Sequence, residues 1–259
     1  MSPNTALRDI LHGYRNGTIT EDDALAAIEG FRIEMLEGMA RIDTGRAVRC
    51  GMPEVVLAEG KDPEVFAEIM LTHTAAAGRC IATRVSPEQA GVLTERIRPT
   101  DLTLDYREAA RALVLGDRPA PAPKGGIVAI LTAGTSDIRV AEEARLIAEE
   151  MGCEVRTAYD VGVAGIHRLF SAMKDLIPAH VFIVAAGREG TLPAIVSGLV
   201  DRPVIGVPVS TGYGYMGAGE AALASMLQSC SVLSVVNIDA GFTAGAFAAQ
   251  IANLVAKDA

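Results

Sequence analysis

Five short segments of this sequence carry side chains able to do chemistry. Thr132-Ala-Gly-Thr-Ser-Asp137 sets Gly134, the hydroxyls of Thr135 and Ser136 and the carboxylate of Asp137 directly after an apolar run. A glycine turn that opens a helix aims backbone N–H groups outward and makes a phosphate cradle. The plainer reading is an N-cap by Ser136 or Asp137. Asp160-Val-Gly-Val-Ala-Gly-Ile-His-Arg168 has Gly162 and Gly165, which let backbone approach a ligand, followed by His167 and Arg168. Imidazole moves protons near neutral pH, and guanidinium grips phosphate or carboxylate in two places. A solvated helix start is the alternative. In Ala185-Ala-Gly-Arg-Glu-Gly-Thr-Leu-Pro193, Glu189 beyond Gly187 is a candidate base or metal ligand, or a cap for the next helix. Pro208-Val-Ser-Thr-Gly-Tyr-Gly-Tyr-Met-Gly-Ala-Gly219, with Gly212 and Gly214 among its glycines, reads either as a loop that closes over a ligand or as a structural loop. Tyr213 or Tyr215 could stack on a flat ring there. The last segment joins Gln228-Ser-Cys230 to Asn237-Ile-Asp239. A lone cysteine is an inert small hydrophobe or a nucleophile. Asn237 and Asp239 end a strand, where they contact ligand or cap the final helix.

These segments are spaced by a regular pattern. Ile127–Ala133, Glu154–Val161, His180–Ala186, Pro203–Val209 and Val232–Ile238 are apolar runs of strand length. Between and after them, Val140–Met151 (closed by Gly152), Ile166–Ile177 (ended by Pro178), Leu192–Val200, Gly219–Gln228 and Ala244–Ala256 read as helices. Strands alternating with helices imply right-handed crossovers and a parallel sheet covered on both faces, a three-layer α/β domain of flavodoxin or Rossmann type. Ligands of such sheets bind beyond the carboxyl ends of the strands, where the first four segments fall.

Ahead of this domain, Gly116–Gly126 alternates proline with alanine, which favours an extended linker. We place an N-terminal domain at 1–118, the linker at 119–125 and the catalytic domain at 126–259. The N-terminal part is less regular. Leu7–Asn16 and Asp22–Met39 read as helices, with Thr20 or Glu21 near an N-cap, and Val55–Ala58, Cys80–Thr83 and Leu102–Asp105 as strands. A small α+β domain fits this pattern.

Composition excludes several function classes. The 259 residues are 50% hydrophobic, ample for a core, yet only 4% aromatic with no Trp, so small aliphatic residues must fill it. A net charge of −9 argues against nucleic acid or an anionic membrane as partner. Cys50, Cys80, Cys153 and Cys230 are scattered without metal-type spacing. No apolar stretch has the length and continuity of a membrane span. We therefore expect a cytoplasmic protein with free thiols.

The order and wording of the motifs are specific. VAILTAGTSDIRVAEEA, DVGVAGIHRL, AGREGTLPAIVSGLVDRPVIGVP, STGYG, MLQSC and VVNIDAGF resemble the LarB family, the carboxylases of nickel-pincer cofactor biosynthesis. IDTGRAVRCGMPEVVLAEGK and ATRVS, before the linker, resemble the same family's N-terminal signature, so the likeness runs from about Gly38 to the end. The C-terminal half alone is similar to the aminoimidazole ribonucleotide carboxylase of purine synthesis. The resemblance implies carboxylation of nicotinic acid adenine dinucleotide at C5 of its pyridinium ring, using carbon dioxide or bicarbonate. Hydrolysis of the phosphoanhydride then gives AMP and pyridinium-3,5-biscarboxylic acid mononucleotide. It makes Cys230 the nucleophile and His167 a proton shuttle. It makes Thr135, Ser136 and Asp137 the phosphate loop, with Asp137 helping to hold Mg²⁺. It also brings Arg46, Arg49, Glu54, Lys61 and Arg84 toward the nucleotide, and it implies a closed homo-oligomer, an octamer. Four positions depart from the family pattern: Arg188 stands where Met is common, Glu220 where an apolar residue is common, and Ala240 and Thr243 where Asn and Gly are usual. Two rival functions are aminoimidazole ribonucleotide carboxylation and non-catalytic regulation through nucleotide binding. Neither requires a reactive thiol.

Overall fold

The computed structural model describes residues 3–30, 33–36, 40–117 and 119–257. The chain divides into two compact units, one made of Met1–Tyr106 with Leu113–Pro119, the other of Arg107–Ala112 with Ala120–Ala259.

The first unit begins with helices α1 (Pro3–Arg15) and α2 (Glu21–Glu29). Thr20 caps α2: its hydroxyl accepts from the Asp23 N–H while the Asp23 carboxylate accepts from the Thr20 N–H, so two donors at the helix start are satisfied reciprocally. The helix expected over Asp22–Met39 is a correction. It stops at Glu29, and the chain continues as a hairpin of β1 (Glu34–Leu36) and β2 (Ala40–Ile42). Gly30 ends the helix because glycine is a poor helix interior residue. Phe31, Arg32 and 37–39 of that expected helix lie outside the described residues. After α3 (Arg46–Cys50) come β3 (Val55–Leu57), α4 (Pro63–Ala77), β4 (Arg79–Thr83), α5 (Pro87–Ile97), β5 (Thr103–Arg107) and β6 (Ala112–Gly116). The strands form one sheet in the order β3-β4-β6-β5, with β3 parallel and β6 antiparallel to β4. Phe66 and Met70 of α4, Leu93 of α5, and Leu113 and Leu115 of β6 are fully buried in its core.

Pro119–Gly125 has no regular secondary structure. The second unit then alternates β7 (Ile127–Thr132), α6 (Ile138–Glu150), β8 (Glu154–Ala158), α7 (Ile166–Leu176), β9 (Val181–Ala186), α8 (Leu192–Ser197), β10 (Val204–Pro208), α9 (Glu220–Leu227), β11 (Ser234–Val235) and α10 (Gly241–Lys257). The five strands make one sheet, every neighbouring pair parallel, in the order β8-β7-β9-β10-β11. β9 and β10 are buried along their whole length, and β7 at all but its first residue, as strands covered by helices on both faces must be. The fifth strand is a correction in length. Only Ser234 and Val235 of Val232–Ile238 pair with β10, and Val232 is 93% exposed, so its apolar side chain does not join the core.

The order is the flavodoxin-like 2-1-3-4-5. The chain leaves β7 toward β8 on one side and returns to β9 on the other. The crossover helices diverge at that switch and leave a crevice beyond the carboxyl ends of β7 and β9. Among the described residues no helix is long and apolar enough to cross a membrane.

Candidate active site

The crevice is a cavity of about 440 Å³ in the second unit, lined by the segments that follow β7, β8, β9 and β10. Four loops from four strands meet there because a parallel sheet delivers all its carboxyl ends to one edge.

Asp137 organises the floor. It ends a 3-10 turn over Thr135–Asp137, and its side chain folds back to accept the Gly134 N–H at 2.9 Å. The Thr211 hydroxyl, from the loop after β10, approaches the other carboxylate oxygen at 3.5 Å. Gly187 sits against both: a Cβ there would lie 3.1 Å from the Asp137 oxygen and 3.2 Å from the Thr211 hydroxyl, close enough that one of them would have to give way. Only 4% of Asp137 is exposed, and burial raises its carboxyl above the ordinary carboxylate value against the opposing effect of the Gly134 bond. A buried carboxyl with a raised pKa on a cavity wall is suited to holding or accepting a proton.

The second wall is built from β7 and β8. The buried Thr132 hydroxyl accepts the Asp160 N–H at 3.0 Å, and Asp160 pairs with Arg168 on the first turn of α7. Gly162 passes so close to the Ala133 carbonyl that a Cβ would come within 2.4 Å of its oxygen. From the loop after β9 the Arg188 guanidinium lies over the Tyr213 ring, 4.4 Å from its centroid. One face of Tyr213 is therefore taken by Arg188, while the side chain as a whole stays 77% exposed. Asp239 anchors the start of this loop by accepting the Ser210 N–H at 2.9 Å and the Ser210 hydroxyl at 2.5 Å, and it pairs with Arg139 at 3.4 Å.

Of the residues singled out in the sequence, Gly134, Ser136, Asp137, Gly162, Arg168, Gly187, Glu189, Gly212 and Tyr213 line the cavity together. Thr135, Gly165, His167, Gly214, Asn237 and Asp239 do not line it, although all lie on the same loops or beside them. His167 is exposed on the first turn of α7, and the Asn237 side chain accepts the N–H of the next residue at 2.8 Å. Cys230 is an exposed free thiol between α9 and the amino end of β11, outside the lining residues. In the first unit, Arg46 pairs with Glu54 at 2.8 Å, Arg84 with Glu59 at 2.9 Å, and Arg49 with Asp43. Lys61 donates to the Leu57 carbonyl at 2.6 Å. Of the four departures from the family pattern only Arg188 lines the cavity. Sequence reasoning passed over Thr211 and Asp160. Their signal was positional, a hydroxyl just before a loop glycine and a carboxylate just before a glycine-spaced turn. Among the described residues no group of three or more His, Cys, Asp or Glu converges as a metal site.

Comparison with known proteins gives this geometry a context. Residues 127–259 match the family model described as AIR carboxylase, and residues 33–117 match that of the LarB/PurE-like N-terminal domain. An uncharacterized protein of Methanocaldococcus jannaschii is 43% identical over 257 residues, 97% of this chain and 98% of its own. The N5-carboxyaminoimidazole ribonucleotide mutase of the same organism is 32% identical over 136 residues, 51% of this chain and 81% of its own. A probable enzyme of the same name from Methanothermobacter thermautotrophicus is 37% identical over 130 residues, 48% of this chain and 37% of its own. The matches place the chain among carboxylase–mutase enzymes. With both halves matched and one relative aligned nearly end to end, the chain belongs to the LarB family, and its C-terminal half is an AIR carboxylase-like domain.

Proposed function

We propose that this protein carboxylates nicotinic acid adenine dinucleotide at C5 of the pyridinium ring and hydrolyses its phosphoanhydride. The products are AMP and pyridinium-3,5-biscarboxylic acid mononucleotide. The observation that carries this reading is the reach of the likeness. The mutase relatives match about half of the chain, whereas the LarB-type N-terminal domain and the full-length relative account for the rest.

The chemistry calls for a nucleophile. A pyridinium ring is electron-poor, so its C5 does not attack carbon dioxide. Addition of the Cys230 thiolate to C6 makes an enamine whose C5 forms the new bond to carbon dioxide. Loss of the C5 proton and expulsion of the thiolate restore the aromatic ring, and cysteine suits both steps as nucleophile and leaving group. Water then cleaves the phosphoanhydride. All four cysteines are free, so the thiol is available. Cys230 does not line the cavity of its own chain; in the closed homo-oligomer, an octamer, that the resemblance implies, a second copy would supply it. Exposed Phe247, Leu254 and Val255 on α10 are apolar surface of the kind such contacts cover.

Within the cavity, the turn at Gly134–Asp137 and Arg168 hold the phosphates, Asp137 receives the C5 proton, and Tyr213 and the glycines of its loop border the ring. His167, just outside, relays the proton to solvent. Asp137 would supply one oxygen to Mg²⁺, whose chemistry there would be to offset charge on the phosphoanhydride.

The test is mass spectrometry of nicotinic acid adenine dinucleotide incubated with the protein, labelled bicarbonate and Mg²⁺. The expected products are AMP and a mononucleotide heavier than nicotinic acid mononucleotide by one labelled carboxyl group. Turnover of aminoimidazole ribonucleotide alone would overturn the reading. Mixing Cys230→Ser and Asp137→Asn chains tests the shared site, since activity returns only if one copy serves another's cavity.

A further inference from the structure

Two cations line the cavity, and they differ in one respect. Arg168 is neutralised by Asp160. Arg188 has no carboxylate within ion-pair distance among the described residues; its guanidinium lies on the Tyr213 ring. A guanidinium held over an aromatic ring makes no hydrogen bond to it through the ring face and keeps N–H donors available to a ligand. Those donors match the oxygens of a carboxylate or phosphate two at a time. Stacking also fixes a long side chain that would otherwise lose rotamer freedom on binding.

The position of Arg188 says what kind of group it meets. It follows β9, while the turn at Thr135–Asp137 follows β7, so both line the cavity at the switch of the sheet. The remaining charged lining residues are Asp137, whose carboxyl is tied to the Gly134 N–H and faces the Thr211 hydroxyl, and Glu189. A second anionic group of a ligand held at the β7 turn therefore finds at Arg188 the one cavity-lining cation that, among the described residues, has no acid partner.

We propose that Arg188 is a specificity-determining residue that receives a second oxyanion of the ligand, distinct from the phosphate at the Thr135–Asp137 turn, on a guanidinium pre-positioned by Tyr213. This deepens the function proposed above and rests on it for the ligand. In a pyridine dinucleotide the second oxyanion is the ring carboxylate or the second phosphate, and both have the chemistry Arg188 accepts.

Calorimetric titration of the full chain and of Arg188→Met and Arg188→Lys separates these sources. The probes are nicotinic acid adenine dinucleotide, nicotinic acid mononucleotide, nicotinamide mononucleotide and 4-carboxy-5-aminoimidazole ribonucleotide. Arg188 is exposed, so thermal midpoints should stay unchanged in both variants. We expect Arg188→Met to weaken the dinucleotide about tenfold to a hundredfold. Arg188→Lys should be intermediate, because it keeps the charge and loses the planar fork. A loss on nicotinic acid mononucleotide but not on nicotinamide mononucleotide assigns the carboxylate. A loss confined to the dinucleotide assigns the second phosphate. Tight binding that is indifferent to Arg188→Met overturns the role of Arg188 and leaves the proposed function standing. Binding of the imidazole probe alone overturns the proposed function; an Arg188→Met loss on that probe still supports the oxyanion role, and no loss overturns it. Binding of none of the four overturns both.

Discussion

Both units pair most of their surface arginines with acids, and they differ at one cavity of the second. In the first, cations are matched by nearby acids: Arg46 by Glu54, Arg84 by Glu59, and Arg96 by Glu64 and Glu68 at 3.0 and 2.6 Å. Exposed or half-exposed pairs of this sort contribute little each and need nothing but a neighbour. In the second unit a carboxyl is buried in the turn after β7 and a guanidinium lies over a tyrosine ring without an acid, both lining one cavity. Burying Asp137 costs stability unless its bonds to Gly134 and Thr211, from the loops after β7 and β10, are kept. The contrast locates function by cost: charges that merely stabilise are paired off, and charges that await a ligand are held at some expense.

The largest effect should come from Cys230→Ser, which should abolish incorporation of labelled bicarbonate while leaving dinucleotide binding intact. Serine is nearly isosteric, and its hydroxyl is far less ionised than a thiol. Cys153→Ser should retain substantial activity, because burial pushes the Cys153 thiol up to about 11 and leaves it inert near neutral pH. Cys80 is buried with its thiol pushed well up by desolvation, whereas Cys50 and Cys230 are exposed. A thiol-alkylating reagent at neutral pH should therefore label Cys50 and Cys230 in the native protein and spare the other two. Near-normal incorporation by the Cys230 variant would remove the covalent mechanism.

Next in size is Asp137→Asn, with a loss of turnover of about a hundredfold or more if the group handles a proton. Its stability has a sign that can be checked. Burial raises the folded-state pKa of Asp137, so the folded chain holds this proton more tightly than the unfolded chain. That contribution is fully present below the unfolded value of 3.8 and is lost as pH rises through the folded value. The stability of the wild type relative to Asp137→Asn should fall between acetate buffer near pH 4 and neutral buffer, read from urea midpoints. A difference that grows with pH would mean that hydrogen bonds to the carboxylate outweigh its desolvation.

The same contrast explains what was legible in the sequence. β7, β9 and β10 could be read because strands buried on both faces become unbroken apolar runs, and their order then dictated where ligands bind. That is why nine residues chosen from loops proved to share one cavity. In the first unit, α4 escaped notice because its apolar residues spread around the helix, with Phe66, Ala67, Ile69 and Met70 all buried, and leave no clean stripe. Its start was marked nonetheless, by Asp62 capping ahead of Pro63, as was that of α5 by Ser86, Pro87 and Gln89. β6 was missed because four apolar residues beside a proline-rich stretch carry no period at all. The contacts of Thr211 with Asp137 and of Arg188 with Tyr213 join loops far apart in the chain, and no local pattern encodes them.

A smaller effect should follow from Gly187→Ala. The added methyl would sit 3.1 Å from the Asp137 oxygen and 3.2 Å from the Thr211 hydroxyl, so either group must shift by a few tenths of an ångström. We expect a stability loss of about 1 kcal/mol and roughly tenfold weaker binding of nicotinic acid adenine dinucleotide. Unchanged binding with lowered stability would show that the Asp137–Thr211 contact serves the fold and not the ligand.

The smallest effect should come from the first unit, where it bears most on the comparison. Arg46→Met and Arg84→Met each remove one side of an ion pair whose members are 23% to 56% exposed. Solvent screens such pairs, so each variant should lose less than about 1 kcal/mol in a urea titration. If these arginines only brace their own unit, the dissociation constant for nicotinic acid adenine dinucleotide should not move. The family resemblance points the other way, since it assigns Arg46 and Arg84 to the nucleotide. The two readings part at a simple control: Glu54→Gln and Glu59→Gln break the same pairs and keep the cations. Were the arginines ligand-binding, the arginine variants would weaken the dinucleotide and the glutamate variants would not, because a freed cation remains able to meet a phosphate. Were they structural, all four would lower stability by similar small amounts and leave binding alone. The structural outcome is the expected one, because each arginine already faces a carboxylate at hydrogen-bond distance, and a ligand phosphate would have to displace it.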